Sequence, residues 1–203
     1  MAHPYATNST ERRYLPFFFS IAAIAISFLV QDLMSRYQIS FPWWASPPVD
    51  TMAFYGVCYW LFDRYVWKWP PLRWLGVVKL PNLAGQWRGT VTPVPSSGVS
   101  AGLGLEREIR MSISQTWATL LISASTDLSN SVSDSGSITM GERIEMTYQY
   151  INEPAAGAPA TMHTHRGTVL LRTDRLGRAL EGEYYSGRDR QNLGTLRLVR
   201  DCG

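Results

Sequence analysis

Lys79-Leu80-Pro81-Asn82-Leu83-Ala84-Gly85-Gln86-Trp87 is the stretch at which this chain changes character. Upstream lie two short apolar, aromatic-rich runs. Downstream, about 120 residues read as alternating strands that open on Gly85-Gln86-Trp87. The first part has the composition of a segment that sits in lipid, the second that of a small closed sheet. Averages over all 203 residues (45% hydrophobic, 17% charged, mean hydropathy -0.11) hide the contrast.

The tryptophans sharpen it. Trp43, Trp44, Trp60, Trp67, Trp69 and Trp74 all fall between Phe41 and Leu75. Indole rings gather at membrane interfaces, where the ring packs among lipid while the N–H stays wet. Tyr14 to Val30 carries no charge, and Leu33 and Met34 extend it past Gln31 and Asp32, which predicts a helix over about 14–34. The run from Val49 to Trp69, about 21 residues, spans roughly 31 Å as a helix and predicts a second crossing. Between them Pro42, Pro47 and Pro48 force a turn. No small-residue cleavage site follows the first run, so a signal peptide fits poorly. An interfacial amphipathic segment is the alternative for the second run.

Flanking cations set an orientation. Arg12 and Arg13 precede the first run, Arg64, Lys68, Arg73 and Lys79 follow the second, and the intervening loop has only Arg36. The positive-inside rule then puts both termini and the downstream domain in the cytoplasm. Asp32 and Asp50 fall near the far interface and read as solvated acids rather than an ion path. Cys58 lies in an apolar run and Cys202 is penultimate, so neither a disulfide framework nor a metal pattern is indicated. A net charge of +3 and a pI of about 9.0 suit an anionic ligand or anionic lipid heads without choosing between them.

Downstream the punctuation predicts eight strands: Gly85–Val94, Leu105–Thr116, Ala118–Leu128, Ser131–Met140, Glu142–Ile151, His163–Thr173, Arg178–Ser186 and Gly194–Arg200. In the fifth, Ile144, Met146, Tyr148 and Tyr150 share one face, and Arg143, Glu145, Thr147 and Gln149 the other. In the second, Ile109, Met111 and Ile113 oppose Glu108, Arg110, Ser112 and Ser114. The second face is polar in each, which excludes a lipid-facing barrel. Eight such strands suit a closed antiparallel barrel whose interior holds side chains or one small ligand. The expected domains are a membrane region over 1–80, including the linker Pro70 to Pro81, and a barrel over 81–203.

Catalytic patterns are thin. There is no nucleophile elbow and no Walker sequence, and His163-x-His165 lacks further ligands for a metal. The chain is not expected to be an enzyme and no cofactor is indicated. The better candidate is a pocket at the barrel mouth. Tyr184, Ser186 and Arg188 share a parity with Leu180 and Gly182 on the seventh strand, Tyr148 and Tyr150 lie on the apolar face of the fifth, and Arg166 and Thr168 share a face of the sixth. Tyrosines offer stacking planes and arginines forked donors for phosphate, a combination suited to an anionic, base-containing small ligand.

Gly-x-Trp on a first strand with Arg on the last resembles the lipocalin-type arrangement, in which the Trp closes the barrel floor under the Arg. Trp87 and Arg200 are therefore expected to be structural. As a whole, two closely spaced N-terminal membrane runs, a short linker and an eight-stranded barrel resemble the SMODS-associating two-transmembrane, β-strand-rich effectors of bacterial cyclic-oligonucleotide-based anti-phage signalling systems (CBASS). The residues carrying the likeness are Leu83-Ala84-Gly85-Gln86-Trp87-Arg88-Gly89, Leu180-Glu181-Gly182-Glu183-Tyr184-Tyr185-Ser186-Gly187-Arg188 and Gly194-Thr195-Leu196-Arg197-Leu198.

The resemblance implies a receptor and effector in one chain at the bacterial inner membrane. A cyclic dinucleotide from a partner cyclic nucleotide synthase binds the barrel as the activating ligand. The chains self-associate into homo-oligomers, and the clustered helices breach the lipid bilayer and kill the infected cell. No direct nucleic-acid contact is implied. The alternative is a membrane-anchored, lipocalin-like binder of lipid or fatty acid, which expects an apolar interior and no phosphate-binding arginines.

Overall fold

A computed structural model describes residues 1–38, 47–94, 106–159, 162–173, 177–187 and 192–201. The elements, in chain order, are β1 (His3–Pro4), β2 (Ala6–Thr7), α1 (Glu11–Arg36), α2 (Pro47–Arg64) and α3 (Pro70–Trp74). The barrel strands follow: β3 (Gly85–Val94), β4 (Arg107–Gln115), β5 (Thr119–Ser125), β6 (Ser129–Met140), β7 (Ile144–Pro154), β8 (His165–Thr173), β9 (Ala179–Ser186) and β10 (Leu193–Arg200). Contacts divide the chain into one unit of Met1–Asn8 with Leu80–Gly203 and another of Ser9–Lys79. The first eight residues thus join the barrel unit, where a division at residue 80 had been expected.

In the Ser9–Lys79 unit, α1 runs from Glu11 to Arg36, several residues beyond the expected helix at its amino end. Among the described residues, α1 alone is long and apolar enough to cross a bilayer. The second expected helix is broken: α2 stops at Arg64, a 3-10 turn covers Val66–Lys68, and α3 begins at Pro70. Proline at the first positions of α3 loses no helical hydrogen bond there. Phe19 of α1 meets Phe62 and Tyr59 of α2 at ring-centroid distances of 5.0 and 6.3 Å. Ala23 and Ser27, both buried, carry small side chains that let α1 pack closely. Phe17, Phe18, Ile21, Phe28, Leu29 and Leu33 stay exposed, an apolar surface suited to lipid. Asp32 pairs with Arg36 at 2.9 Å one turn on, as a solvated acid does. The buried Glu11 carboxylate, in the first turn of α1, accepts the Lys79 backbone N–H at 2.5 Å.

The eight barrel strands are consecutive antiparallel neighbours from β3 to β10, and β10 pairs with β3 to close the ring. Threonine side chains shape two of the hairpins. Thr116 Oγ1 accepts the N–H of Ala118 and Thr119 between β4 and β5, and Thr126 Oγ1 those of Leu128 and Ser129 between β5 and β6. The expected floor is present. Trp87 is fully buried, its indole N–H donates to Leu83 O at 3.1 Å, and the Arg200 guanidinium lies 5.2 Å from its ring. Arg200 also donates to the carbonyls of Asn82 and Ala84. Trp87 and Arg200 are register partners, so the pairing of first and last strands places the cation over the ring.

One seam is incomplete. β5 and β6 pair only at Ser123–Val132, Ala124–Ser131 and Ser125–Asn130, and the β6–β7 register shifts between Ser133 and Ser135. The amino-terminal residues occupy the parting: β1 pairs with Thr119–Leu120 of β5, and β2 runs parallel to Ser137–Ile138 of β6. The His3 ring is 2.9 Å from Ser133 Oγ, and the Asn8 amide exchanges two 2.8 Å hydrogen bonds with the Met140 backbone. Tyr5 is buried and its hydroxyl donates to Trp117 O at 3.0 Å. These two edges escape exposure because the chain's own start covers them.

Removing the Tyr5 ring (Tyr5→Ala) should cost about 3–5 kcal/mol, as for other buried aromatics. Tyr5→Phe should cost about 1 kcal/mol, the worth of its hydrogen bonds. Chemical denaturation of the full chain in detergent, followed by tryptophan fluorescence, measures both. Identical midpoints for Tyr5→Ala and wild type would mean that residues 1–8 are not part of the cooperative barrel.

Candidate functional site: a polar-rimmed cavity in the barrel

The inward faces of the strands can be followed around the barrel by register. On β7 they are Ile144, Met146, Tyr148, Tyr150 and Asn152, all buried. Tyr148 stands opposite Val169 of β8 and Gly136 of β6, Tyr150 opposite Gly167 and Ser133, and Asn152 opposite His165 and Ser131. On β9 the inward positions are Leu180, Gly182, Tyr184 and Ser186, with Tyr184 opposite Gly194 of β10. Of these, Tyr148, Tyr150, Asn152, His165, Tyr184 and Ser186 line a cavity of about 190 Å3, with Val91, Arg107, Ile109 and Leu196 from β3, β4 and β10.

Two glycines make room for the aromatic wall. A Cβ at Gly167 would come within 2.4 Å of the Tyr150 ring, and one at Gly194 within 2.4 Å of the Tyr184 ring. Each tyrosine therefore lies across the strand beside it, which a bulkier partner would prevent. The Tyr150 ring meets Tyr148 and His165 with centroids 6.4 Å away in both cases, edge-on to His165. Burial pushes the Tyr148 phenol well above its ordinary value, so it remains a neutral donor at physiological pH. At the rim, Arg107 Nη1 holds Asp127 at 2.7 Å. Ser186 Oγ donates to Asn192 O and accepts from Asn192 N–H, both at 3.0 Å. No group of His, Cys, Asp and Glu suited to a metal occurs among the described residues.

Of the residues expected at the mouth, Tyr148, Tyr150, Tyr184 and Ser186 do line the cavity. Arg166 and Thr168 do not. They pair with Ile151 and Gln149 on the outer side of β8, whose inward parity is His165, Gly167, Val169 and Leu171. A shift of one residue moves a side chain to the opposite face of a sheet. Arg188 lies outside the described residues. Among the described residues, the cation at the cavity is Arg107, found by extending the Ile109–Met111–Ile113 face of β4 back by two positions. Asn152 likewise continues the Tyr148–Tyr150 face.

Residues 78–200 match the family described as "Cap15, cyclic dinucleotide receptor domain", and residues 14–68 match "Cap15, TM helices". The chain belongs to the Cap15 family. It is also 28% identical over 188 residues to the CD-NTase-associated protein 15 of Yersinia aleksiciae, covering 90% of this chain and 86% of that protein. This agrees with the CBASS effector resemblance. The receptor-domain match of this Cap15-family chain takes in every barrel strand, and with them all the cavity walls.

If the cavity is the binding site, Arg107→Gln should weaken cyclic dinucleotide binding roughly tenfold or more, the scale of a lost charge-assisted hydrogen bond, while Arg166→Gln stays within about twofold. Calorimetric titration of the full chain in detergent compares them. A greater loss from Arg166→Gln would move the site to the outer face of β8.

Proposed function

We propose that the barrel takes a cyclic dinucleotide into this cavity, that liganded barrels associate, and that α1 and α2 then cluster and breach the inner membrane of an infected bacterium. The observation that carries this reading is a cavity with tyrosine walls, a buried amide and a rim arginine, within a stretch that matches a cyclic dinucleotide receptor domain. Rings give stacking planes for bases and the guanidinium a partner for phosphate. Arg188, continuing the parity of Tyr184 and Ser186, adds a second cation in this reading. The chain acts as a receptor rather than an enzyme, and a partner cyclic nucleotide synthase supplies the signal.

The size of the cavity fits association. At about 190 Å3 it is smaller than the roughly 300–1,000 Å3 of sites that enclose a drug-sized ligand. One nucleotide enters, and the other stays at the mouth, where a second barrel can meet it. Ligand that prefers the associated state shifts the equilibrium by its differential affinity. Helices confined to the bilayer then act at raised effective concentration. The 18-residue α2 spans about 27 Å as a helix, slightly under the roughly 30 Å hydrocarbon core, so packed copies thin the bilayer. The flanking cations support a cytoplasmic position for both termini and the barrel in this reading. The alternative lipid carrier is expected to have an apolar interior, so the polar Arg107 and Asn152 at the cavity support the nucleotide reading.

Proteoliposomes containing the full chain should release an entrapped dye on addition of a cyclic dinucleotide that it binds, with the chain shifting to larger species in cross-linking. Tyr184→Ala should abolish both responses while the barrel still melts cooperatively. Dye release that proceeds equally without ligand, or with the Tyr184→Ala chain, would rule this mechanism out.

A further inference from the structure

Asn152 stands apart among the side chains of the cavity. It is 7% exposed, lines the cavity, and its amide makes no hydrogen bond to another described residue. Two other buried polar side chains of the barrel are engaged: Gln115 binds Leu83, Pro81 and Tyr5, and Ser133 binds His3 and Ile122. The amide thus presents its donor and acceptor to the cavity space, where a partner arriving from outside can meet both.

The surroundings indicate what kind of partner. Asn152 lies in register between Ser131 and His165, and the Tyr150 and His165 rings form an edge-to-face corner beside it. His165 Nδ1 is 3.0 Å from the His163 carbonyl; donating there leaves Nε2 as an acceptor. An aromatic corner next to a free amide suits a planar heterocycle whose edge carries a donor and an acceptor side by side. The amide matches that edge with its own acceptor and donor.

We propose that Asn152 reads the hydrogen-bonding edge of the nucleobase inserted into the barrel, and is thus a specificity-determining residue of the site. This rests on the cavity being the cyclic dinucleotide site. Asn152→Asp replaces the NH2 donor with a second acceptor. That removes the partner of adenine N1 or uracil O4, and suits the paired N1–H and N2–H donors of guanine. Asn152→Leu removes both groups at similar volume.

The test titrates c-di-AMP, c-di-UMP and c-di-GMP into the full chain in detergent by calorimetry, with melting temperatures measured in parallel without ligand. Asn152→Asp should raise the affinity for c-di-GMP relative to the other two by about tenfold or more, the scale of one bidentate base contact. Asn152→Leu should melt no lower than wild type, yet bind the preferred ligand at least about tenfold more weakly. If wild type binds one of the three and both variants bind it with unchanged affinity and ranking, Asn152 does not read the base although the cavity assignment stands. An Asn152→Leu chain that melts well below wild type would make the amide structural, and would overturn the inference. If wild type binds none of the three and no mixed-base cyclic dinucleotide either, the cavity reading fails and the inference with it.

Discussion

A single buried amide, Gln115, holds together the end of the barrel opposite the cavity. Its Oε1 accepts the Leu83 N–H at 2.8 Å, and its Nε2 donates to Pro81 O at 3.0 Å and reaches the Tyr5 hydroxyl at 3.4 Å. Leu83 and Pro81 belong to the segment that enters β3, and Tyr5 belongs to the segment that leaves for α1. Both covalent connections between the barrel and the helical unit therefore meet at one side chain. Because Gln115 is only 3% exposed, losing any of these partners leaves a polar group without water to replace it. That is a strong constraint on the two connections.

The layered interior explains why that end is rigid while the other is open. Following register from Arg200 through Trp87, Met111, Ala124, Ser131 and Asn152 to His165 climbs from the floor to the mouth, as strand stagger in a closed barrel requires. Low in the barrel the inward residues are Leu180, Leu198, Met111 and Trp87, all buried. Toward the mouth they become hydroxyls, an amide, an imidazole and a guanidinium. Apolar packing closes the floor, and the same alternation delivers polar groups to the cavity. The seam between β5 and β6 joins the two regions. Its paired end borders the cavity at Ala124 and Ser131, and its parted end holds the amino-terminal strands.

Much of this was legible in residue order. The strand expected over Gly85–Val94 has those bounds, and the others shift by a few residues at one or both ends; in the β4–β5 and β5–β6 hairpins threonine rather than glycine or proline shapes the turn. Tyr148, Tyr150, Tyr184 and Ser186 could be assigned inward because hydrophobic neighbours fixed their parity. Arg166 and Thr168 could not: in His165-Arg166-Gly167-Thr168 neither parity is apolar, and only pairing with β7 shows which faces in. Arg107 and Asn152 were hidden differently. Each is a polar residue at the end of an apolar face, where alternation looks finished although the strand continues.

What the sequence determined by itself was the split into an apolar helical part and an antiparallel barrel; the resemblance to the lipocalin-type arrangement added Trp87 and Arg200 at the floor. Period-two alternation, apolar run length and turn residues are local properties, and they survive without coordinates. The tertiary structure alone decided that residues 1–8 belong to the barrel, that Gln115 joins both connections, and that Arg107 and Asn152 replace Arg166 and Thr168 at the cavity. Each of these depends on strand register between segments far apart in the chain. A pairing set by closure of the whole barrel is not written in any one stretch of it.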